Sequence, residues 1–182
     1  IDALGTAILE PRLNTQQLNL FGEGEYSSTA DSASLDVTTT ATWELWGNFY
    51  QSFSASGDYY ISEWSTGQRS FLISGNNGGE VNRLRIILSS NGINVTWIGY
   101  IEVTDNVQQM LFTYNGATNT VIGYLDGVST TVTTMLGSVP SSIFSSTSNF
   151  LIGKSGESNE TTGRKIGSAK IYNTALTAAE VL

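Results

Sequence analysis

The strongest constraint on the fold is a period of two. In Thr42-Trp43-Glu44-Leu45-Trp46-Gly47-Asn48-Phe49, Trp43, Leu45 and Phe49 fall on one side, and Glu44, Trp46 and Asn48 on the other. Arg83 to Ser89 alternates again, with Leu84, Ile86 and Leu88 opposed to Arg83, Arg85 and Ser89. Such segments predict strands with one face on a core and the other toward water. Similar runs rich in Val, Ile, Thr and aromatic residues recur between clusters of Gly, Asn, Ser and Asp, the spacing of a sandwich or barrel. Asn115-Gly116 and Asp126-Gly127 separate three of them, and both dipeptides tolerate the positive φ of tight hairpin turns.

One helix is expected, short and terminal. Thr177 can cap the first turn of Thr177 to Leu182, and Glu180, three residues on, can close a capping box. At the other end Pro11 and the polar stretch Asn14 to Gln17 break the pattern, so residues 1–17 are expected to be an arm or linker and residues 18–182 the domain. The chain opens on Ile1, not Met, which reads as a segment of something longer.

Composition removes several function classes. The formal charge is −8, and the 8 basic residues are scattered, which argues against nucleic acid as a partner. No apolar run approaches the ~20 residues of a membrane-spanning helix, so membrane insertion is not expected. With no Cys and no His, disulfides, thiolate or imidazole metal sites, and Ser-His-Asp or Cys-His nucleophilic catalysis are closed. Glycoside hydrolysis needs two facing carboxyls, and Glu157 with Glu160 approaches this only within a Gly- and Ser-rich loop. Gly22-x-Gly24 and Gly75-Asn76-Asn77-Gly78-Gly79 precede no helix, so neither forms a phosphate cradle. A non-enzyme is expected.

Four segments together resemble a known family. They are Leu20 to Tyr26 with Ser34-Leu35-Asp36; Thr42 to Trp46; Phe112 to Gly116 running to Tyr124-Leu125-Asp126-Gly127; and Leu151-Ile152-Gly153 with Ala169 to Leu176 and Ala179-Glu180. In order and spacing these are similar to the laminin G-like and pentraxin-like branch of the concanavalin A-like jelly rolls. The resemblance implies an all-β antiparallel jelly-roll sandwich of two sheets with a short C-terminal helix. It also implies that the end loops and the curved outer sheet carry the function.

Members of that family often hold calcium near the opening and closing strands. Here Phe21 stands where the opening motif usually has Asp, and Gly167 where the closing strand has Asp, which argues against an inherited site; the remaining oxygen ligands are Glu23, Glu25 and Asp36. No cofactor is expected, with calcium on those three acids as the alternative. Where the strand before Asn115-Gly116 usually carries Trp-His-His, this chain has Val107-Gln108-Gln109.

Sugars are held by aromatic faces together with amides, carboxylates and hydroxyls, and Tyr59, Tyr60, Trp64, Trp97 and Tyr100 fall in consecutive strands with Asn76, Asn77, Asn91 and Asn94 in nearby turns. For each ring, core packing competes with ligand contact. The expected glycan site draws on Tyr60, Trp64, Trp97, Tyr100, Asn76, Asn77 and Asn94. Read with the resemblance, the leading function is a recognition or adhesion module of a larger virion or extracellular surface protein. Its expected partners are a surface glycan or other polymer, neighbouring virion or surface-protein subunits, and copies of itself in a homo-oligomer. Two alternatives stand beside it: a capsid or fibre building block that binds only proteins, and a hydrolase or the accessory domain of one.

Overall fold

The computed structural model describes residues 18–19, 26–49, 58–75, 82–158 and 165–181. Among these the chain forms thirteen strands. They are β1 (Leu18–Asn19), β2 (Ser27–Thr29), β3 (Thr40–Asn48), β4 (Tyr59–Ser65), β5 (Gln68–Gly75), β6 (Arg83–Gly92), β7 (Trp97–Glu102), β8 (Val107–Asn115), β9 (Thr120–Leu125), β10 (Val128–Thr130), β11 (Thr133–Gly137), β12 (Phe150–Ile152) and β13 (Lys165–Tyr172). One sheet runs β1-β13-β3-β8-β9-β10 and the other β11-β7-β6-β5-β4-β12-β2, with every pairing antiparallel. The expected jelly-roll sandwich is what the chain forms. Glu23, Glu25, Asn76 and Asn77, and the arm assigned to residues 1–17, lie outside the described residues.

The alternation is realised in β3 of one sheet and in β6 of the other. Trp43, Leu45 and Phe49 are fully enclosed, as are Leu84, Ile86 and Leu88, and all join one core between the sheets. Trp43 of the six-stranded sheet reaches Phe71 of the seven-stranded sheet at 5.1 Å between ring centroids and lies 6.5 Å from Tyr114. Phe49 meets Tyr60 edge to face at 5.1 Å. Offset and edge-on geometries of this kind add to the burial of the rings.

Both outer faces carry smaller clusters. On the six-stranded sheet, Leu111 and Tyr124 are covered by Leu176 and Val181 of the C-terminal segment. That segment is not the expected helix. Thr177 N–H and Oγ1–H both donate to Glu180 Oε2, at 2.8 and 2.7 Å, and Glu180 N–H returns to the Thr177 carbonyl at 2.9 Å. The capping pair thus closes a single turn over residues 178–180, after which Val181 is drawn down onto the sheet. On the same face Glu44 accepts from Gln109 Nε2 at 3.0 Å and from Tyr172 O–H at 2.8 Å. Lys170 Nζ lies 3.7 Å from Glu44, so this buried acid is fully partnered.

The two turn dipeptides are built differently. Asp126 and Gly127 have φ of 49° and 77°, the tight turn expected between β9 and β10. Asn115-Gly116 instead opens a longer loop: Asn115 Oδ1 accepts from the N–H groups of Ala117 and Thr118, and the left-handed residue is Asn119 at φ 53°. Gly116 is required for space, because a Cβ there would sit 2.1 Å from the Ser141 carbonyl oxygen. Gly116→Ala is therefore expected to destabilise the fold by about 2 kcal/mol, through a forced shift of the 138–142 backbone, measurable by urea denaturation.

Candidate functional site

The seven-stranded sheet turns part of its outer face into a cleft of about 290 Å³ at the β4–β12 boundary. Trp64, Ser65, Thr147, Ser148, Asn149, Leu151 and Gly156 line it. Trp64 and Ser65 end β4, Leu151 belongs to β12, and residues 147–149 approach from the connection that precedes β12. A bulge fixes the phase of β4. Tyr59 pairs with Ser74 and Ile61 with Ile73, leaving Tyr60 unpaired, so Tyr60 and Ile61 both face the core while Tyr59 and Trp64 face outward.

Trp64 is anchored on both sides. Its indole Nε1–H donates to Glu157 Oε2 at 3.1 Å, and the Arg69 guanidinium lies 5.7 Å above its ring. Arg69 in turn grips Glu157 in a fork, Nε to Oε1 at 2.8 Å and Nη2 to Oε2 at 3.0 Å, and its Nη1 donates to the Ile93 carbonyl. Bidentate geometry of this kind sets orientation as well as charge balance. Beneath the ring, Leu72 and Ile87 form a small apolar floor joined by Tyr59, Val95 and Ile98.

The rim is polar. Thr147 Oγ1 and N–H both donate to Gln68 Oε1, at 3.1 and 3.0 Å, while Ser148 shares a hydrogen bond with Ser146 at 2.7 Å. Asn149 donates its side-chain amide N–H to Ser28 Oγ at 3.2 Å. These links hold hydroxyl and amide groups beside an indole, the mixture that fixes a small polar ligand against an apolar wall.

Of the expected glycan-site residues, Trp64 lines the cleft with one edge, being 5% exposed and otherwise buried in the outer-face cluster. Tyr60 and Trp97 are corrections: Tyr60 is packed against Phe49 inside the core, and Trp97 is enclosed there with its Nε1–H on Thr134 Oγ1 at 3.2 Å. Gly99 makes the room for Trp97, since a Cβ there would lie 2.4 Å from the indole. Tyr100 is half-buried on the outer face under the Arg83 guanidinium at 4.1 Å, and it sits on β7, three strands from Trp64, or about 14 Å at ordinary strand spacing. Asn94 is exposed in the β6–β7 turn, where its N–H and that of Ile93 donate to Asn91 Oδ1. Arg69 ties this turn to the cleft through Ile93.

Position-by-position reading did not find Ser65, Thr147, Ser148, Asn149 or the Arg69–Glu157 fork. The sequence sets Glu157 only beside Glu160, which lies outside the described residues. With both oxygens of Glu157 accepting from Arg69 and Trp64, it acts as a brace for the cleft wall. Trp46, which the alternation of β3 sets opposite the core residues, is exposed on the outer face of the six-stranded sheet.

Of the inherited calcium position only the closing-strand side is among the described residues. Gly167 offers no side-chain oxygen in β13, and a Cβ there would already be 3.4 Å from the Trp46 carbonyl. Asp36 is described, with Oδ1 accepting from Ser145 Oγ at 2.7 Å. Among the described residues no three His, Cys, Asp or Glu side chains group closely enough to hold a metal between them. No described helix is long and apolar enough to cross a membrane.

A family model of the concanavalin A-like lectin/glucanases superfamily matches residues 21–182. The chain belongs to that superfamily. Solved structures agree with this concanavalin A-like fold. It is similar to the botulinum neurotoxin serotype D ligand binding domain in complex with N-acetylneuraminic acid, at TM-score 0.62 and 12% identity over 89% of this chain and 40% of that one. It is similar to the botulinum neurotoxin serotype G binding domain at TM-score 0.65 and 14% identity, over 91% and 40% of the two chains. A third likeness is to the binding domain of botulinum neurotoxin DC in complex with rat synaptotagmin II, at TM-score 0.61 and 10% identity, over 86% and 38%. The concanavalin A-like chain described here thus spans about 40% of the length of the first of these structures. Comparison with curated proteins gives no match.

Proposed function

We propose that this concanavalin A-like domain is a non-catalytic recognition module that binds glycan in the cleft beside Trp64, as part of a larger virion or extracellular surface protein. The observation that carries the reading is the cleft itself: an indole wall braced by Arg69 and Glu157, rimmed by Ser65, Thr147, Ser148 and Asn149. At about 290 Å³ it suits one unit or the end of a saccharide chain. Sugar C–H groups would meet the exposed edges of Trp64 and Leu151, and ring hydroxyls would exchange hydrogen bonds with the rim. Support from the fold's relatives is of the same kind: one similar domain is seen with N-acetylneuraminic acid and another with rat synaptotagmin II. A charge-poor surface solubilised by Ser, Thr, Asn and Gly suits an external setting.

A glycan array with the wild-type protein, followed by calorimetry on the best binder with Trp64→Ala and Asn149→Ala, tests this. Both variants are expected to bind at least ~10-fold more weakly while keeping the wild-type circular-dichroism spectrum. No glycan bound, or unchanged affinity in both folded variants, would reject the reading.

The second reading, a building block that contacts other subunits, is favoured by Val128 on β10 and by Met135 and Leu136 on β11. These apolar residues are exposed on the outermost strands of the two sheets. Sedimentation showing a stable assembly through those edges, with no glycan binding, would favour it.

A further inference from the structure

Glu63 stands where an acid is expensive. It pairs with Phe71 and shares the inner phase of β4 with Ile61, so its side chain enters the space between the sheets, and it is 1% exposed. Neither of its carboxylate oxygens has a hydrogen-bond partner. β2 pairs with β12 and β12 with β4, so the β2–β3 connection leaves the sheet on the side of β4 that carries Glu63. It holds two more acids: Asp31, whose Oδ1 is also buried without a partner, and Asp36, held by Ser145. Burial first, and then the charges of Asp31 and Asp36, push the Glu63 carboxyl up to about 8.

Protonation would remove the charge but leave a buried O–H with nothing to donate to, and the Asp31 oxygen would gain nothing. No Lys or Arg among the described residues pairs with Glu63. A carboxylate that is buried, unpartnered and repelled by neighbouring acids is relieved on all three counts by a bound cation.

We propose that Glu63 and Asp31 bind a hard divalent cation of the calcium type, buried between the β2–β3 connection and the inner face of β4. Both Glu63 oxygens are unpartnered, so bidentate ligation with a single oxygen from Asp31 follows calcium's habit. Asp36 adds negative charge beside the ion. No third acidic side chain closes on the same point among the described residues, so backbone carbonyls and water complete the shell. The proposed ligands are neither Phe21 nor Gly167, and the proposal does not depend on the glycan cleft.

The protein is stripped with EDTA, dialysed, and titrated with CaCl2 by calorimetry, with the thermal midpoint followed in parallel. One ion per chain is expected, with a rise in midpoint of roughly 5 °C or more once CaCl2 exceeds its Kd about 100-fold. Glu63→Gln and Asp31→Asn are each expected to abolish the heat and the rise; the second variant serves if the first folds poorly. No binding heat in the wild type would overturn the proposal. So would a rise that persists in a folded Glu63→Gln protein, or one reproduced by NaCl at equal ionic strength.

Discussion

In a chelating buffer, raising the pH from 5 to 9 is expected to cost the protein stability on the order of 4 kcal/mol, through Glu63. Burial and the neighbouring charges of Asp31 and Asp36 raise its carboxyl from 4.5 to about 8 in the folded state. The folded protein therefore holds a proton that the unfolded chain gives up, and stability falls wherever that difference exists. The contribution is complete below about pH 4.5, declines through the interval up to pH 8, and is level beyond it. Urea denaturation across this range checks the slope, with Glu63→Gln as reference: the variant lacks the titrating group, so the difference between the two curves is the Glu63 term. A wild-type curve parallel to that of the variant would show that the carboxyl is not held in this environment. Adding CaCl2 should flatten the wild-type curve, because a bound ion replaces the proton.

Trp43→Ala is expected to be the most damaging single truncation in the core, at about 3–5 kcal/mol by denaturant unfolding. The ring is fully buried and bridges the layers, meeting Phe71 of the opposite sheet and Tyr114 of its own. Its removal leaves a void in contact with both sheets, neither of which can close onto it without moving a hydrogen-bonded strand. Trp43→Phe should cost much less than half as much. The indole Nε1–H is buried without a partner, so the smaller ring gives up packing but no hydrogen bond. Equal losses for the two variants would mean that the site does not distinguish a ring from a void.

Where one face of a strand was plainly apolar, the local pattern read the fold correctly, as in β3 and β6. It failed where both faces were apolar. β4 reads Tyr59-Tyr60-Ile61-Ser62-Glu63-Trp64, and the bulge at Tyr60 decides which ring turns inward; no spacing rule announces it. Trp97 carried a usable hint, because Gly99 two residues on clears the room its indole fills. Glu63 carried another: in β4 it has the parity of Ile61, which places a charge in the core phase. The terminal turn misled for a definite reason. Thr177 and Glu180 make the capping contacts of a helix start, but Val181 is committed to Leu111 and Tyr124 before a second turn can form.

The cleft was harder to foresee than the fold because its parts are remote in sequence. Arg69 and Glu157 are 88 positions apart and Asn149 and Ser28 are 121 apart, and only the strand order β5-β4-β12-β2 brings them together. Trp64 was legible as an aromatic in a strand. The hydroxyls and amide beside it were ordinary loop residues until β12 was laid against β4.

The position of bound sugar is therefore the decisive observation. A two-dimensional amide NMR titration of the labelled protein with the tightest array glycan reads it directly. Shifts that saturate and cluster on Ser65, Thr147, Ser148, Asn149 and Gly156, together with the Trp64 indole N–H, are the predicted result. Saturating shifts confined to the opposite sheet around Trp46, or no saturating shifts with any array glycan, would contradict a recognition site in this cleft.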